Sequence, residues 1–268
     1  MMQKKITHLG PREAEFLSLF SSRGSLFDLT QAAEYWGSRE MTRKKLSLLE
    51  KRGWLARLER GKYLIIPLEA GVDRTWSEES YLIASSLARP SAIAYWSAIR
   101  HWNWTEQIPR IVYVQTTQRK KQTRRMILGV HYEFVTVNPK KFYGNTREWR
   151  QGKPVLITSR EKTLLDSADD IERAGGIEEV GKAIRNGVPE VAWKGLDEHV
   201  QRFPNKAAVK RLGFLIETLV PDLPGGAQQY LGRWRRLLSA GTAYLDPGGR
   251  KTGRIDTRWR VKVNAEVR

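Results

Sequence analysis

Glu161, Asp166, Asp169 and Asp170 place four carboxylates within ten residues. Clustered carboxylates are what nucleotidyl-transfer or nuclease chemistry needs to hold a divalent metal. At helical spacing Asp166 shares a face with Asp169 and Asp170, a spacing equally common on solvated helices. A metal-dependent nuclease strand would add a Glu-x-Lys pair, and the chain has none; Gln118-Arg-Lys120 is the nearest approach, with no acid on the preceding strand. The four histidines, His8, His101, His131 and His199, show no metal-ligand spacing and no HExxH pattern. Gly175-Gly176 and Gly225-Gly226 lack the surroundings of a phosphate-cradling loop. There is no cysteine, which excludes a disulfide scaffold and thiolate metal sites. These residues predict no catalytic group, no metal and no cofactor. An enzyme acting on nucleic acid through Glu161–Asp170 is the reading they favour least.

A second group of residues has a different chemistry. Arg39, Arg43, Lys44, Ser47 and Lys51 fall within thirteen residues, interleaved with Thr42, Leu46 and Leu49. At 100° per residue those last three form the core stripe of a helix, and Met41 and Leu48 flank it. Arg43, Lys44, Ser47 and Lys51 point away from the stripe, and Arg39 stands near the helix start. Arginine can bridge two acceptors on guanine, serine can pair with any base edge, and lysine mainly finds phosphate. Such a face suits the major groove of DNA; a merely solvated helix face is the plainer alternative.

The elements around this helix decide between those readings. Gly10-Pro11 opens a first helix with Phe16, Leu17 and Phe20 on one face, stopped at Ser21-Ser22-Arg23-Gly24. Asp28 with Gln31 forms a capping box for a second helix to about Tyr35, ended by Trp36-Gly37. Ser38 caps the third helix, which runs to Arg52 with Gly53 as its stop. Two helices joined by a short glycine turn are a helix-turn-helix. Trp54–Leu58, the turn Glu59-Arg60-Gly61 and Lys62–Ile66 then read as a hairpin, the wing of a winged helix. Arg60 and Lys62 at its tip are expected to hold the DNA backbone or reach the minor groove.

The chain has 268 residues, with 47 Lys and Arg against 29 Asp and Glu, a net charge of +18. That excess favours a polyanionic partner. It recurs along the chain: 13 basic against 7 acidic residues over 1–68, 11 against 2 over 109–153, and 14 against 5 over 202–268. With 40% hydrophobic residues and ten tryptophans the chain is neither disordered nor short of core. Lys4 and Lys5 have no apolar run behind them, and no apolar run approaches the roughly 20 residues of a membrane span. A cytoplasmic protein without membrane contact is expected.

Pro67–Gly71 breaks the last wing strand. The expected division is a winged helix-turn-helix over 1–68, a linker over 67–78 that Trp76 anchors, and a second domain over 79–268. Glu79–Arg89 is helical by period, and Ser91 is read as the cap of a helix carrying Ile93, Tyr95, Trp96 and Ile99. Strands are expected at Ile111–Thr116, Val130–Val137 and Val155–Thr158. Between the first two, Arg119, Lys120, Lys121, Arg124 and Arg125 are read either as a solvated hairpin loop or as a nucleic-acid or partner contact. Thr158-x-x-Glu161 is read as a capping box for the helix through Asp166. Helices follow from Gly175-Gly176 and near Leu196–Phe203, Lys206–Leu219 and Gln228–Leu238, then strands at Thr242–Leu245 and Thr257–Val263. Without regular βαβ alternation the class is α+β: an N-terminal winged helix-turn-helix followed by a mixed α/β C-terminal domain.

Five segments together resemble the AbiEi antitoxin family of abortive-infection toxin–antitoxin systems. They are Arg52–Tyr63; Ala94-Tyr-Trp-Ser-Ala98 with Glu106–Pro109; Ser159–Asp166 leading to Gly175–Val180; Arg211–Glu217; and Trp259–Asn264. The resemblance implies a winged helix that binds inverted repeats in its own promoter as an autorepressor. Arg39, Arg43, Lys44, Ser47, Arg60 and Lys62 match that DNA-binding segment by position. It also implies a second domain that counters a toxin of the nucleotidyltransferase superfamily, with or without binding it directly. One winged helix covers about half of a repeat, so two copies are expected per operator, whether the free protein is monomer or dimer. The alternative kept beside it is a protein-interaction antitoxin whose winged helix is only a scaffold.

Overall fold

The structure is a computed structural model that describes residues 8–71 and 80–267. The anchoring role expected of Trp76 and most of the linker lie outside the described residues.

Helix α1 (Pro11–Ser22) starts at Pro11, whose missing N–H costs nothing at the first helical position. Strand β1 (Leu26–Asp28) follows, then α2 (Leu29–Trp36), α3 (Arg39–Lys51), β2 (Leu55–Glu59) and β3 (Lys62–Ile65). The capping box at the start of α2 forms: Asp28 accepts from the N–H groups of Thr30 and Gln31, and Gln31 accepts from that of Asp28. Gly37 ends α2 with φ +83°, a left-handed conformation that glycine adopts without strain. The three helices close on an aromatic core of Phe16, Phe20, Phe27 and Trp36 with Leu46, Leu49, Leu55 and Tyr63. Strand β1 was not legible. It is three residues long and pairs antiparallel with β3, making a three-stranded sheet in the order β1-β3-β2.

The second unit begins with α4 (Ser80–Leu87), β4 (Ser91–Ile93) and α5 (Tyr95–His101). Ser91 caps no helix; it opens a short central strand, and α5 starts four residues later. Strands β5 (Ile111–Thr116), β6 (Arg124–Ile127), β7 (Val130–Thr136), β8 (Asn145–Arg150) and β9 (Lys153–Thr158) complete a six-stranded sheet in the order β6-β7-β5-β4-β9-β8. It mixes parallel pairs (β5 with β7, β4 with β9) with antiparallel ones, as an α+β fold without βαβ repeats should.

Helices α6 (Arg160–Asp169), α7 (Ile177–Gly187), α8 (Trp193–Arg202), α9 (Lys206–Leu219) and α10 (Ala227–Arg236) pack beside that sheet. The cap of α6 is Ser159, whose hydroxyl accepts from Lys162 N–H, one residue later than the expected Thr158. Strands β10 (Ala243–Tyr244), β11 (Arg254–Asp256) and β12 (Val261–Val263) form a small third sheet against α9. Its anchor is Trp259, buried against Gly213 and bonded through Nε1 to Glu217 at 2.7 Å. A Cβ on Gly213 would lie 2.1 Å from that ring. Gly213→Ala is therefore expected to cost at least the ~1–3 kcal/mol of overpacking, read from the urea midpoint. Among the described residues no helix is long and apolar enough to cross a membrane.

The two units share core. Leu58 and Leu64 of the wing strands pack into the cluster of Leu82, Ile83, Leu87 and Phe134 in the second unit. Cations tie the seam from both sides. Lys153 reaches the carbonyl of Leu26 at 2.5 Å, Arg125 that of Leu58, and Lys62 that of Ser86 at 2.6 Å.

Candidate nucleic-acid interface

Helix α3 is fixed by its ends and by its inner face. Ser38 Oγ accepts from the Met41 N–H at 3.2 Å, and Thr42 donates back to the Ser38 carbonyl at 2.6 Å. Thr42, Leu46 and Leu49 are fully buried, as their spacing predicts.

A clamp that pattern reading did not single out joins α3 to α1. Glu13, a buried carboxylate, accepts from Gly10 N–H at 3.2 Å, Arg52 at 2.8 Å and Lys45 at 3.4 Å. Burial pushes its pKa up, but the Gly10 N–H, the Lys45 ammonium and the Arg52 guanidinium outweigh it and hold the carboxyl below 4.5. A folded value below the unfolded one stabilises the protein above the unfolded pKa, and that contribution is lost as pH falls through the folded value. The stability gap between the wild type and Glu13→Gln is therefore expected to be widest near neutrality and to narrow as pH drops below about 4.5. Thermal melts of both proteins from pH 7 to pH 3 check this. The signal in the sequence was an acidic residue on the first turn of a helix otherwise read only for its apolar face.

The outward side of α3 is free. Arg39, Arg43, Lys44, Ser47 and Lys51 are all exposed, and no other described element lies over them. Lys44 pairs with Glu40 at 2.8 Å, but both are largely in water, where such a pair is worth little and is readily exchanged. Arg39 sits at the N-terminal end of the helix, where the dipole disfavours a cation, so it gains nothing for the fold by being there. The wing turn leaves Arg60 exposed beside Gly61 at φ +79°.

Lys62 is placed differently from its neighbour. Its ammonium lies 2.6 Å from the Ser86 carbonyl and 2.5 Å from Glu59, at the seam with the second unit. Its partners are thus inside the protein. Arg60→Ala is expected to weaken DNA binding, whereas Lys62→Ala leaves affinity within about twofold and instead lowers the melting temperature. Paired gel-shift and melting measurements distinguish the two residues.

The basic segment 119–125 divides as well. Arg124 and Arg125 begin strand β6, so a strand stands where a loop was expected, and it hairpins onto β7 through Leu128-Gly129. Arg124 bonds Glu133 at 2.8 Å, Arg125 is the seam residue described above, and Lys120 reaches the Leu87 carbonyl within the second unit. Burial, together with the nearby Lys62 and Arg125 and despite Glu59, lowers the Lys120 pKa. Arg119 and Lys121 are exposed. Two of the five, Lys120 and Arg125, are thus turned inward onto carbonyls more than thirty residues away in the chain, while Arg119, Arg124 and Lys121 stay exposed.

The four carboxylates weighed for metal chemistry are dispersed among separate partners. Asp166 is buried against Lys162 and Gln115, the latter at 2.8 Å. Asp169 takes Lys141 and Asn205, Asp170 takes Arg173 at 2.6 Å, and Glu161 accepts from Ala192 N–H at 3.0 Å. Among the described residues no group of three or more acidic, histidine or cysteine side chains could hold a metal. His101 bonds Glu148 at 2.8 Å across the sheet edge, and burial lowers its pKa despite that carboxylate.

No curated protein matches the chain. Its fold is similar to the crystal structure of the RV2827C protein from Mycobacterium tuberculosis, with a TM-score of 0.66 and 13% identity, covering 96% of this chain and 93% of that one. Residues 16–66, from the middle of α1 to the end of the wing, match the family described as transcriptional regulator, AbiEi antitoxin. Over that span the resemblance drawn from Arg52–Tyr63 is borne out: residues 16–66 are similar to the AbiEi antitoxin family of transcriptional regulators.

Proposed function

We propose that the protein is an antitoxin that represses its own promoter, with α3 lying in the major groove of an inverted repeat. The observation that carries this reading is the free basic face of α3. Arg39, Arg43, Lys44, Ser47 and Lys51 are solvated side by side while the opposite face of the same helix is fully buried. A helix anchored on one side and cationic on the other matches the groove in shape and charge, and its first turns carry the donors that can read base edges. Arg60 reaches the flanking backbone from the wing. Two copies occupy one operator, one per half-site. The second unit counteracts a nucleotidyltransferase toxin, and the site of action is the cytoplasm. The family match over residues 16–66 supports a regulator rather than an enzyme.

A gel shift of the full chain with the DNA upstream of its own gene tests the reading. The expected result is a sequence-preferring complex of two copies whose log K falls with log salt by about 0.9 per phosphate contact. Equal affinity for a scrambled duplex at moderate salt would remove the repressor. Co-purification with the toxin in the absence of any duplex binding would favour the protein-interaction antitoxin instead.

A further inference from the structure

Helix α3 carries two side chains that neither its core nor its charge explains. Met41 is 50% exposed and Leu48 is 36% exposed, although the helix already buries Thr42, Leu46 and Leu49. Seven large apolar side chains are exposed among the described residues, and two of them stand on this one 13-residue helix. Seven residues of α-helix turn through about 700°, so the two project within about 20° of each other and about 10.5 Å apart along the axis. On the helical wheel they lie between the Lys45–Arg52 flank and the outermost line of Lys44 and Lys51, with Leu48 nearer that line. Ser47 and Arg43 lie on the other side of it.

Two side chains ringed by cations are too small a patch for a protein partner, which would bury ~800 Å² per side. The cations call for a polyanion. The apolar group that the major groove of DNA offers is the C5-methyl of thymine. We propose that Met41 and Leu48 read thymine methyl groups, so that each half-site carries two thymines whose separation matches that of the side chains. At about 3.4 Å per base pair, 10.5 Å is about three base pairs. The labour is then divided on one helix: Lys44 and Lys51 on phosphates, Arg43 and Ser47 on polar base edges, Met41 and Leu48 on methyls. This assignment rests on the DNA-binding reading above and adds to it the composition of the operator.

The test replaces thymine by uracil, which keeps base pairing and backbone but removes the methyl. The region upstream of the gene is amplified with either dTTP or dUTP, and the affinity of the full chain is measured for both duplexes. Each lost methyl contact is expected to cost about fourfold, so two copies on uracil DNA lose well over tenfold. Uracil interference is expected at two positions per half-site about three base pairs apart. Met41→Ala erases one of these signals and Leu48→Ala the other, and a melt of each variant shows that it stays folded. Sequence-preferring binding that is equally tight on thymine and uracil duplexes overturns the proposal and leaves the repressor reading standing. Loss of sequence preference on the thymine duplex itself overturns that reading, and the proposal with it. Uracil neutrality together with a changed sedimentation coefficient in Leu48→Ala would make the pair a contact between copies of the chain, and also overturns it.

Discussion

Replacing Arg43 and Lys51 together by glutamate is expected to weaken binding to the upstream DNA by at least a hundredfold, with the melting temperature lowered by only a few degrees. Both residues are exposed and neither side chain makes a bond within the fold, so the native state loses little when they are replaced beyond the small favourable dipole contact of Lys51 at the end of α3. On the proposed docking the duplex loses two cations and meets two anions, Lys51 standing at a phosphate and Arg43 at a base edge. The alanine series resolves the roles. Arg43→Ala is expected to cost about 1–3 kcal/mol and to relax base preference at one position. Lys51→Ala is expected to weaken all duplexes alike and to make the salt slope shallower by about 0.9, one phosphate contact. If Arg43→Ala lowers affinity equally for operator and scrambled DNA, Arg43 is a phosphate residue. If neither substitution matters, α3 is not the DNA-binding helix. Fluorescence anisotropy across a salt series reads all of these outcomes.

The largest expected loss of stability, in contrast, follows substitution of Lys162. Its ammonium is fully buried and pairs with the equally buried Asp166, one helical turn on. Gln115 holds the second carboxylate oxygen at 2.8 Å, and the rings of Tyr143 and Phe203 face the ammonium at 5.2 and 5.4 Å. Burial pushes the Asp166 pKa up, although Lys162 and Gln115 pull against it. Lys162→Met leaves that carboxylate without its counter-ion and is expected to cost about 3–5 kcal/mol. The double variant Lys162→Met/Asp166→Leu is expected to be more stable than Lys162→Met alone, because it removes the orphaned charge.

The pH dependence of Lys162→Met has a definite sign. A folded carboxyl pKa above the unfolded one means that folding takes up a proton between the two values, so the cost is present above the folded pKa and recedes as pH falls. The deficit of Lys162→Met against the wild type should therefore shrink on acidification from pH 7 towards 4. Urea unfolding at three pH values measures it. A deficit independent of pH would mean that lost packing, rather than the buried charge, sets the cost.

The local elements of the winged helix were legible because their signals are local. The Asp28–Gln31 box, the Ser38 cap and the 3.6-residue spacing of Thr42, Leu46 and Leu49 each act within one or two turns. The same spacing assigned the outward residues of α3 correctly to the surface. Most helices of the second unit were found in the same way, and α9 coincides with the expected Lys206–Leu219. What was missed depends on partners far along the chain. Strand β1 exists because Leu26, Phe27 and Asp28 pair with β3 more than thirty residues later. Ser91–Ile93 became a strand because β5 and β9 lie on either side of it. Arg124–Ile127 became a strand by pairing with β7, and its charges looked like a loop because their acceptors, Leu58 O and Glu133, could not be seen.

Helix periods, caps and turns thus determined by themselves that a basic helix is presented on a winged-helix frame, since those interactions close within a few residues. Tertiary structure alone decided which cations of that frame remain for a partner. Lys62 is drawn into the seam, while Arg43, Lys51 and Arg60 stay in water. The physical reason is that a charge is spent or free according to whichever acceptor the packing brings within about 3 Å, and sequence distance carries no trace of that.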